Sequence, residues 1–312
     1  MYDHQAKKLN EQGTFKEIVV EISARQLSAK SETLRQMSMF LTQAVFMEVC
    51  VHPKPGLVTR HGGGAHTDMS ILTFAAGSAV LAKAFSDLQI LGMKHNGNYQ
   101  ELFGKVRRYG VSAEQELLRV TKGVNTQRGI LFAGGLLAAA AGAAMNKGLC
   151  SIVAEMTQGL TENELAGLQA DRPLTAGERL YQAYGITGIR GEVEAGFPSV
   201  RQNGLPGLKE AFAKGAGLND ALVHALVHLM TVVQDSNVIW RGGYAKLPFV
   251  QQRARDILAQ GSIFTDSGRR LLAESEELFR NERISPGGSA DLLSVTAALY
   301  LVENKEFPVA II

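Results

Sequence analysis

The stretch ILFAGGLLAAAAGAAM, residues 130–145, decides the fold that this sequence predicts. It is the longest apolar run in the chain, yet it falls short of the roughly 18 to 20 residues that a membrane-spanning helix needs. Its glycines and alanines add little bulk, so a helix formed here can pack closely against other helices. The stretch therefore predicts a buried core helix and no association with a membrane.

Helical patterns continue on both sides of this core helix. Apolar residues recur at helical spacing through residues 34–51, and Pro53 and Pro55 stop that helix because proline lacks a backbone N–H. Strands and helices do not alternate along the chain, which argues against a doubly wound α/β fold. We predict an all-α, single-domain bundle of about ten helices with Gly-rich loops lining one central cleft. The predicted helices are 34–51, 68–85, 113–122, 126–147, 175–184, 218–234, 249–260, 267–282 and 289–303.

Composition limits the location and the partners of the chain. With 46% apolar and 20% charged residues, these 312 residues are typical of an ordered globular protein. Lys plus Arg (32) nearly balance Asp plus Glu (30), which argues against a broad basic surface for nucleic acid but leaves room for a local phosphate pocket. Cys50 and Cys150 cannot build a disulfide framework, and the N-terminal MYDHQAKKLN lacks the apolar part of a signal peptide. These features predict a cytoplasmic protein.

The chain divides into two regions. Residues 1–33 are predicted to be a variable N-terminal extension, in which FKEIVVEI (15–22) suits a short strand or a helix equally well. Residues 34–312 are predicted to form the all-α domain. We find no repeat, no low-complexity tract and no linker within it, so one domain is the economical description.

Five segments rich in Gly or Pro interrupt the helical pattern. They are HPKPGLVTRHGGGAHTDM (52–69), TKGVNTQRG (121–129), GIRGEVEAGFPSV (188–200), QDSNVIWRGG (234–243) and SPGGSADLL (285–293). Glycine allows backbone N–H groups to approach a ligand closely, and the N-terminus of a helix attracts anions. The segments are therefore candidate ligand-binding loops.

The first two segments supply cations and hydrogen-bonding groups. Segment 52–69 offers cations for phosphate, a proton carrier and a carboxylate, namely Lys54, Arg60, His61, His66 and Asp68. In segment 121–129, Asn125, Thr126 and Arg128 could hold phosphate or ribose. Two simpler interpretations remain open: the cations of the first segment extend into water, and Asn125 and Thr126 only cap a helix.

The third segment, 188–200, carries two carboxylates behind Arg190. Glu192 and Glu194 are two residues apart, so in a non-helical loop both could face one side and bind Mg²⁺ through oxygen ligands. Ion pairing of these carboxylates with Arg190 at the surface is an equally good interpretation.

The last two segments follow the same pattern. Asp235 and Asn237 offer oxygen ligands, and Arg241 offers a bidentate phosphate contact, unless the segment merely ends a helix. In segment 285–293, Ser289 is interpreted as a helix N-cap and Asp291 as a first-turn carboxylate, both with sound structural roles.

Two further features of the sequence give weaker indications of function. His224 and His228 are four residues apart, the spacing of two metal ligands on one helix face, but they lie in an apolar stretch (ALVHALVHLM). Packed, hydrogen-bonded histidines are the favoured interpretation there. The sequence has neither GxxxxGK[ST] nor GxGxxG, so any ATP site is built without the familiar nucleotide-binding motifs.

Taken in order, the motifs resemble one known family. HPKPGLV–GGGAHTDM, GVNTQRG, LTAGERLY–GITGIRGEVEAGFP, DSNVIWRGG and SPGGSADLL resemble the triphosphoribosyl-dephospho-CoA synthase family, over about residues 34–302. The resemblance implies that residues 34–312 form an all-α catalytic domain that joins ATP to 3′-dephospho-CoA and releases adenine. The implied product is the precursor of the prosthetic group of the acyl-carrier subunit of citrate lyase or malonate decarboxylase. A separate transferase, a further expected partner, attaches it to that subunit.

The resemblance also implies roles for residues in the matched segments. A ribose 2′-hydroxyl of dephospho-CoA attacks C1′ of ATP, so the site needs phosphate contacts, Mg²⁺ and a proton acceptor. The implied substrate and phosphate contacts are Lys54, Arg60, Asn125, Thr126, Arg128, Arg190, Asn237, Arg241 and Ser289. The implied Mg²⁺ ligands are Asp68, Glu192, Glu194 and Asp235. The candidates for proton transfer are Asp68, Glu194 and His66.

The chain departs from the family pattern at four positions. Gln127 stands where many relatives have His, Ser70 and Thr59 stand where acidic residues are common, and Trp240 is larger than usual. These departures keep two alternatives open: a divergent nucleotide ribosyl transferase or hydrolase, and a catalytically silent nucleotide-binding partner of the carrier-protein transferase. Adenine release that requires dephospho-CoA would distinguish the synthase from both.

Overall fold

The computed structural model describes residues 32, 36–144, 147–166 and 173–311. Within these ranges the chain forms thirteen α-helices and no strand, which confirms the predicted all-α fold but exceeds the predicted count of about ten helices. The predicted extension 1–33, including 15–22, lies outside the described residues apart from Glu32. The helices are α1 (Met37–Cys50), α2 (Ile71–Met93), α3 (Tyr99–Val120), α4 (Arg128–Ala143), α5 (Leu149–Met156), α6 (Ala176–Tyr184), α7 (Gly188–Glu194), α8 (Leu205–Ala213), α9 (Leu218–Met230), α10 (Ser236–Gly242), α11 (Lys246–Ala259), α12 (Asp266–Asn281) and α13 (Gly287–Asn304).

Helix α4 is the buried core helix that residues 130–145 predict. It packs against α1, α2, α3 and α13, and its central alanines are fully buried. Its close contact with α2 depends on glycine. A Cβ at Gly92 would lie 2.0 Å from the Ala139 carbonyl oxygen, and a Cβ at Gly142 would lie 2.1 Å from the Gln89 carbonyl oxygen. The two helix backbones can therefore approach only because these side chains are absent.

Helix α2 begins later and ends later than predicted. Ser70 is its N-cap, and Thr73 completes a capping box with Ser70, so Asp68 lies in the preceding loop and does not start the helix. By length and composition alone, α2 could cross a membrane. Of its most apolar 18-residue stretch, 33% is buried. It contacts α1, α3 and α4, so its buried side belongs to the helical core.

Four short helices lie where the sequence pattern predicts none. Helices α5, α7, α8 and α10 have seven to nine residues each, too few for a clear hydrophobic repeat. Helix α7 replaces the loop predicted for segment 188–200, and a π-helical turn at Val200–Gly204 lies between α7 and α8. Such short helices depend on tertiary packing rather than on local propensity.

Candidate active site

All five Gly-rich segments meet at one cavity of about 1230 Å³. Helices α3, α4, α6, α7, α10 and α13 contribute to its wall, together with the end of α1 and the loop before α2. Among the residues proposed from sequence, those in the wall are His66, Asp68, Asn125, Thr126, Arg128, Arg190, Glu192, Asn237 and Arg241. Those outside the wall are Lys54, Arg60, Glu194, Asp235 and Ser289.

Three helices of nine or more residues begin at this cavity. The first residues of α4, α6 and α13 all belong to its wall, so the positive ends of three helix dipoles face the same space. At the start of α4, the hydroxyl oxygen of Thr126 and the side-chain oxygen Oε1 of Gln127 are buried without a hydrogen-bond partner. The amide nitrogen of Gln127 donates to Ser78 Oγ at 3.1 Å, so only its oxygen is unpaired. This part of the wall therefore has unused hydrogen-bonding capacity.

The wall carries more carboxylates than arginines. Arg190 binds Glu164 at 2.8 Å, Arg107 binds the same carboxylate at 2.7 Å, and Arg128 pairs with Glu114. The arginines in the wall are Arg107, Arg128, Arg190 and Arg241, and the carboxylates are Glu48, Asp68, Glu114, Glu164, Glu178, Glu192 and Asp291. A polyanionic ligand here thus meets both guanidinium groups and an excess of negative charge.

His66 is held in one tautomer by its two neighbours. An Arg241 N–H donates to His66 Nδ1 at 3.2 Å, so the ring proton of the neutral imidazole lies on Nε2. That proton faces Ser285 Oγ at 2.8 Å. Burial and the Arg241 charge lower the pKa of His66, although Asp68 opposes this effect. His66 is therefore a neutral link between Arg241 and Ser285, and its Nδ1 lone pair is already used.

Asp291, which the sequence predicts to be only a structural first-turn carboxylate, lies in the cavity wall. Asp291 is the fifth residue of α13 and so lies beyond the first turn. Its carboxylate accepts a hydrogen bond from the Ile130 backbone at the start of α4. Burial and the charges of Glu48 and Asp235 raise the pKa of Asp291 well above its usual value. The available signal was a single carboxylate inside the apolar helix sequence ADLLSVTAALYLV.

Glu48 and Lys54 form a buried ion pair beside this carboxylate. Lys54 is 0% exposed, and its ammonium group contacts both the backbone oxygen and the side chain of Glu48. Glu48 lies in the cavity wall, whereas Lys54 lies behind it. Lys54 is therefore engaged by a carboxylate rather than open to a phosphate. Arg60 is exposed and donates to Cys50 O at 3.3 Å and His61 Nε2 at 3.1 Å.

Asp235 caps two helices from a buried position. It is 2% exposed, and one carboxylate oxygen accepts from the backbone of Asn237 and Val238 at the start of α10. The other oxygen accepts from the backbone and hydroxyl of Ser289 at 2.8 and 3.1 Å. Ser289 is thus not the N-cap of α13, which is Pro286. With its lone pairs committed to these donors, Asp235 joins α10 to α13.

Glu192 and Glu194 do not face one side, contrary to the interpretation of their segment as a loop. Both lie on α7, where residues two apart point in nearly opposite directions. Glu192 belongs to the cavity wall and accepts from Ser199, and burial raises the pKa of Glu192. Glu194 instead accepts from the backbone and hydroxyl of Thr161 at 3.1 and 2.5 Å. The two carboxylates therefore cannot act as the predicted pair.

The fold and the cavity are those of an all-α protein with a large cavity lined by arginines, carboxylates and the first residues of several helices. Comparison with known proteins narrows this class. The sequence profile of the ATP:dephospho-CoA triphosphoribosyl transferase family matches residues 34–307. No solved structure matches the chain significantly.

Curated relatives agree with the family match. A probable 2-(5″-triphosphoribosyl)-3′-dephosphocoenzyme-A synthase of Malonomonas rubra is 39% identical over 87% of this chain and 89% of its own length. The 2-(5″-triphosphoribosyl)-3′-dephosphocoenzyme-A synthase of Klebsiella pneumoniae is 38% identical over 88% of this chain and 93% of its own. The chain therefore belongs to the ATP:dephospho-CoA triphosphoribosyl transferase family, and the predicted transferase that joins ATP to dephospho-CoA is confirmed.

Proposed function

We propose that the cavity binds ATP and 3′-dephospho-CoA side by side and transfers the triphosphoribosyl group of ATP between them. The observation that carries this proposal is the convergence of all five matched segments on one cavity of about 1230 Å³. Sites for a single small molecule usually enclose about 300–1,000 Å³, so this volume suits two nucleotides. Arginines and three helix N-termini in the wall favour the phosphate groups.

The proposed reaction assigns a proton acceptor that the sequence did not indicate. A ribose 2′-hydroxyl oxygen of dephospho-CoA bonds to C1′ of ATP while the bond from C1′ to N9 of adenine breaks. The electron pair leaves with adenine, which takes up a proton from solvent. The hydroxyl proton passes to Asp291 and from there to solvent. Because burial and neighbouring carboxylates raise the pKa of Asp291, it is a stronger base than an ordinary aspartate. The negative wall also stabilises the positive charge that develops at C1′.

We assign Mg²⁺ to Asp68 and Glu192, the two predicted metal ligands that lie in the cavity wall. Their oxygen donors suit Mg²⁺, and the excess of carboxylates over arginines favours a cation wherever a triphosphate binds. Bound Mg²⁺ would neutralise charge on the phosphate oxygens. Glu194 and Asp235 are left out of this assignment because neither belongs to the cavity wall: Glu194 accepts from Thr161, and Asp235 caps α10 and α13.

His66 and Arg241 have positioning and binding roles in this proposal. The Nδ1 atom of His66 accepts from Arg241, so His66 orients Arg241 and Ser285 rather than accepting the substrate proton. Arg241 also donates to Ala65 O at 3.2 Å, which fixes its guanidinium group at the cavity wall. A guanidinium group fixed in this way is suited to bidentate phosphate contacts.

The test of the proposed function is adenine release. The full chain with ATP, Mg²⁺ and dephospho-CoA is expected to release one adenine for each triphosphoribosyl-dephospho-CoA formed, both detected by mass spectrometry. Omission of dephospho-CoA is expected to stop adenine release. Adenine without dephospho-CoA would contradict the proposal in favour of hydrolysis, and saturable ATP binding without adenine would contradict it in favour of a silent module.

The product is proposed to serve citrate lyase in the cytoplasm. A carrier-protein transferase would attach it to the acyl-carrier subunit of that enzyme. The test incubates the purified product with such a transferase and, separately, with the carrier subunits of citrate lyase and malonate decarboxylase. A mass increase on the citrate lyase subunit is expected, and modification of the malonate decarboxylase subunit alone would contradict the assignment.

Arg241→Ala is expected to raise the KM for ATP by about 10- to 100-fold. A charge-assisted hydrogen bond contributes about 1.5–3 kcal/mol, and each 1.4 kcal/mol is a factor of ten in affinity. Initial rates against ATP concentration measure the effect. Arg119→Ala is the matched control, because Arg119 pairs with Glu116 on the exposed face of α3. An unchanged KM in Arg241→Ala would place the phosphate contact elsewhere.

Glu192→Gln and Glu194→Gln are expected to differ, although the residues are only two apart. Glu192→Gln should lower kcat at least about tenfold, since removal of an electrostatic contact to the reacting groups commonly costs more than this. Glu194→Gln should remain within about twofold of the parent, because its carboxylate faces Thr161. An equal loss of kcat in both variants would show that catalysis does not depend on which side of α7 each carboxylate faces.

A further inference from the structure

A cluster of possible metal ligands lies outside the cavity. Glu210 of α8 and His224 and His228 of α9 place three ligand atoms within 4.8 Å of one another, and none of the three residues belongs to the cavity wall. The two histidine Nε2 atoms are 3.1 Å apart, and Glu210 Oε2 lies 3.7 Å from one and 3.8 Å from the other. The site is therefore independent of the nucleotide cavity.

These distances fit a four-coordinate transition-metal ion. Zn²⁺ binds histidine nitrogen at about 2.0–2.1 Å and carboxylate oxygen at about 2.0–2.2 Å in tetrahedral geometry, which separates neighbouring ligand atoms by about 3.3–3.5 Å. The observed separations bracket this value. Two histidines and one carboxylate also form a ligand set that zinc uses with a water in the fourth position.

The surroundings hold each ligand in place. His224 is buried, and its Nδ1 lies 2.8 Å from Ser262 Oγ, so a proton on Nδ1 leaves the Nε2 lone pair directed at the cluster. His228 packs directly on α8, since a Cβ at Gly207 would lie 2.7 Å from its ring. Lys214 binds Glu210 Oε1 at 2.6 Å and leaves Oε2 toward the histidines.

We propose that Glu210, His224 and His228 bind a divalent transition-metal ion, with Zn²⁺ as the best fit, and that this ion joins α8 to α9. Burial lowers the pKa of both histidines, so they are neutral and able to coordinate at neutral pH. Glu210 is exposed, which gives an ion access from solvent. The ion stabilises the contact between α8 and α9. It also stabilises the 3₁₀ turn at Ser262–Phe264, which contacts His224 of α9.

The test measures metal binding directly, with Zn²⁺ and Co²⁺ as the probes. The full chain is stripped with a chelator, dialysed and titrated with Zn²⁺ by calorimetry. One equivalent is expected to bind and to raise Tm, and excess Mg²⁺ is not expected to displace it. Co²⁺ is expected to give the visible absorption of a four-coordinate site, which Zn²⁺ then abolishes.

The variants decide which residues hold the ion. His228→Gln and Glu210→Gln are expected to weaken Zn²⁺ binding at least about 100-fold, and Ser262→Ala about 10- to 100-fold, as found for groups that orient metal-bound histidines. His95→Gln, a change at a partly exposed histidine in the loop between α2 and α3, is the control and should bind as the parent does. Circular dichroism without metal confirms that each variant folds. The proposal would be overturned if His228→Gln and Glu210→Gln both bound Zn²⁺ as tightly as the parent. It would also be overturned if the parent bound no stoichiometric Zn²⁺.

Discussion

Asp291→Asn is expected to lower kcat by about 100- to 10,000-fold, the range for removal of a general base. The substitution keeps the shape of the side chain and an oxygen that can accept from the Ile130 backbone, so the start of α4 stays capped. It removes only the charge and the ability to take up a proton. Single-turnover measurement of adenine release, with enzyme in excess over ATP and with dephospho-CoA saturating, gives the rate of the chemical step.

The same substitution is expected to leave Tm unchanged or raise it by about 2–4 °C. Burial, Glu48 and Asp235 raise the pKa of Asp291 above the unfolded value of about 3.9, so the ionised side chain destabilises the fold at neutral pH. This destabilisation is present above the folded pKa and disappears as the pH falls below the unfolded pKa. Asparagine carries no charge, so the substitution removes this destabilisation at every pH.

A loss of rate without a loss of stability separates a catalytic role from a structural one. Glu303→Gln on the same helix is the matched control, because Glu303 is exposed and pairs with Lys209 at the surface. For the parent, kcat/KM should fall as the pH is lowered through an apparent pKa above about 4. If Asp291→Asn retained the parental kcat, the carboxylate would be only a cap for α4 and the assigned base would be wrong.

The sequence predicted the helical class and the core because these depend on composition and periodicity. The apolar run that became α4 needed no tertiary information, and α6 lies within the helix predicted for 175–184, with Thr175 as its N-cap. The cavity could be located in part from the turn-rich segments, since His66, Asn125, Arg190 and Arg241 all line it, while their roles in binding stay predictions. Chemistry concentrated in loops is visible in a sequence.

The direction of individual carboxylates could not be predicted. Glu194 turned away from the cavity because its segment is helical, and the helix is too short to show a period. Asp235 met the chemical requirement for a metal ligand, but its lone pairs were taken by donors that lie near it only after folding. Asp291 was given only a structural role, and Glu48 none, because each lies inside an apolar helix. A single charge in such a helix gives no indication of which part of the structure it reaches.

Lys54→Met is expected to cost about 3–5 kcal/mol of unfolding free energy, the usual loss when one partner of a buried ion pair is removed. Lys54 is fully buried, and without its ammonium group the carboxylate of Glu48 has no cation against it while Asp291 lies nearby. Equilibrium unfolding in urea measures the change. Lys83→Met should cost less than about 1 kcal/mol, since Lys83 pairs with Asp87 at the surface.

The double variant Glu48→Gln/Lys54→Met distinguishes the charge from the shape of this pair. Removing both charges should restore most of the lost stability, because an uncharged pair of similar volume avoids the desolvation cost that the ion pair overcomes. A double variant no more stable than Lys54→Met would show that the lysine acts through packing. Because Glu48 lies in the cavity wall, recovery of stability without recovery of adenine release would indicate that the pair is retained to place a carboxylate beside Asp291.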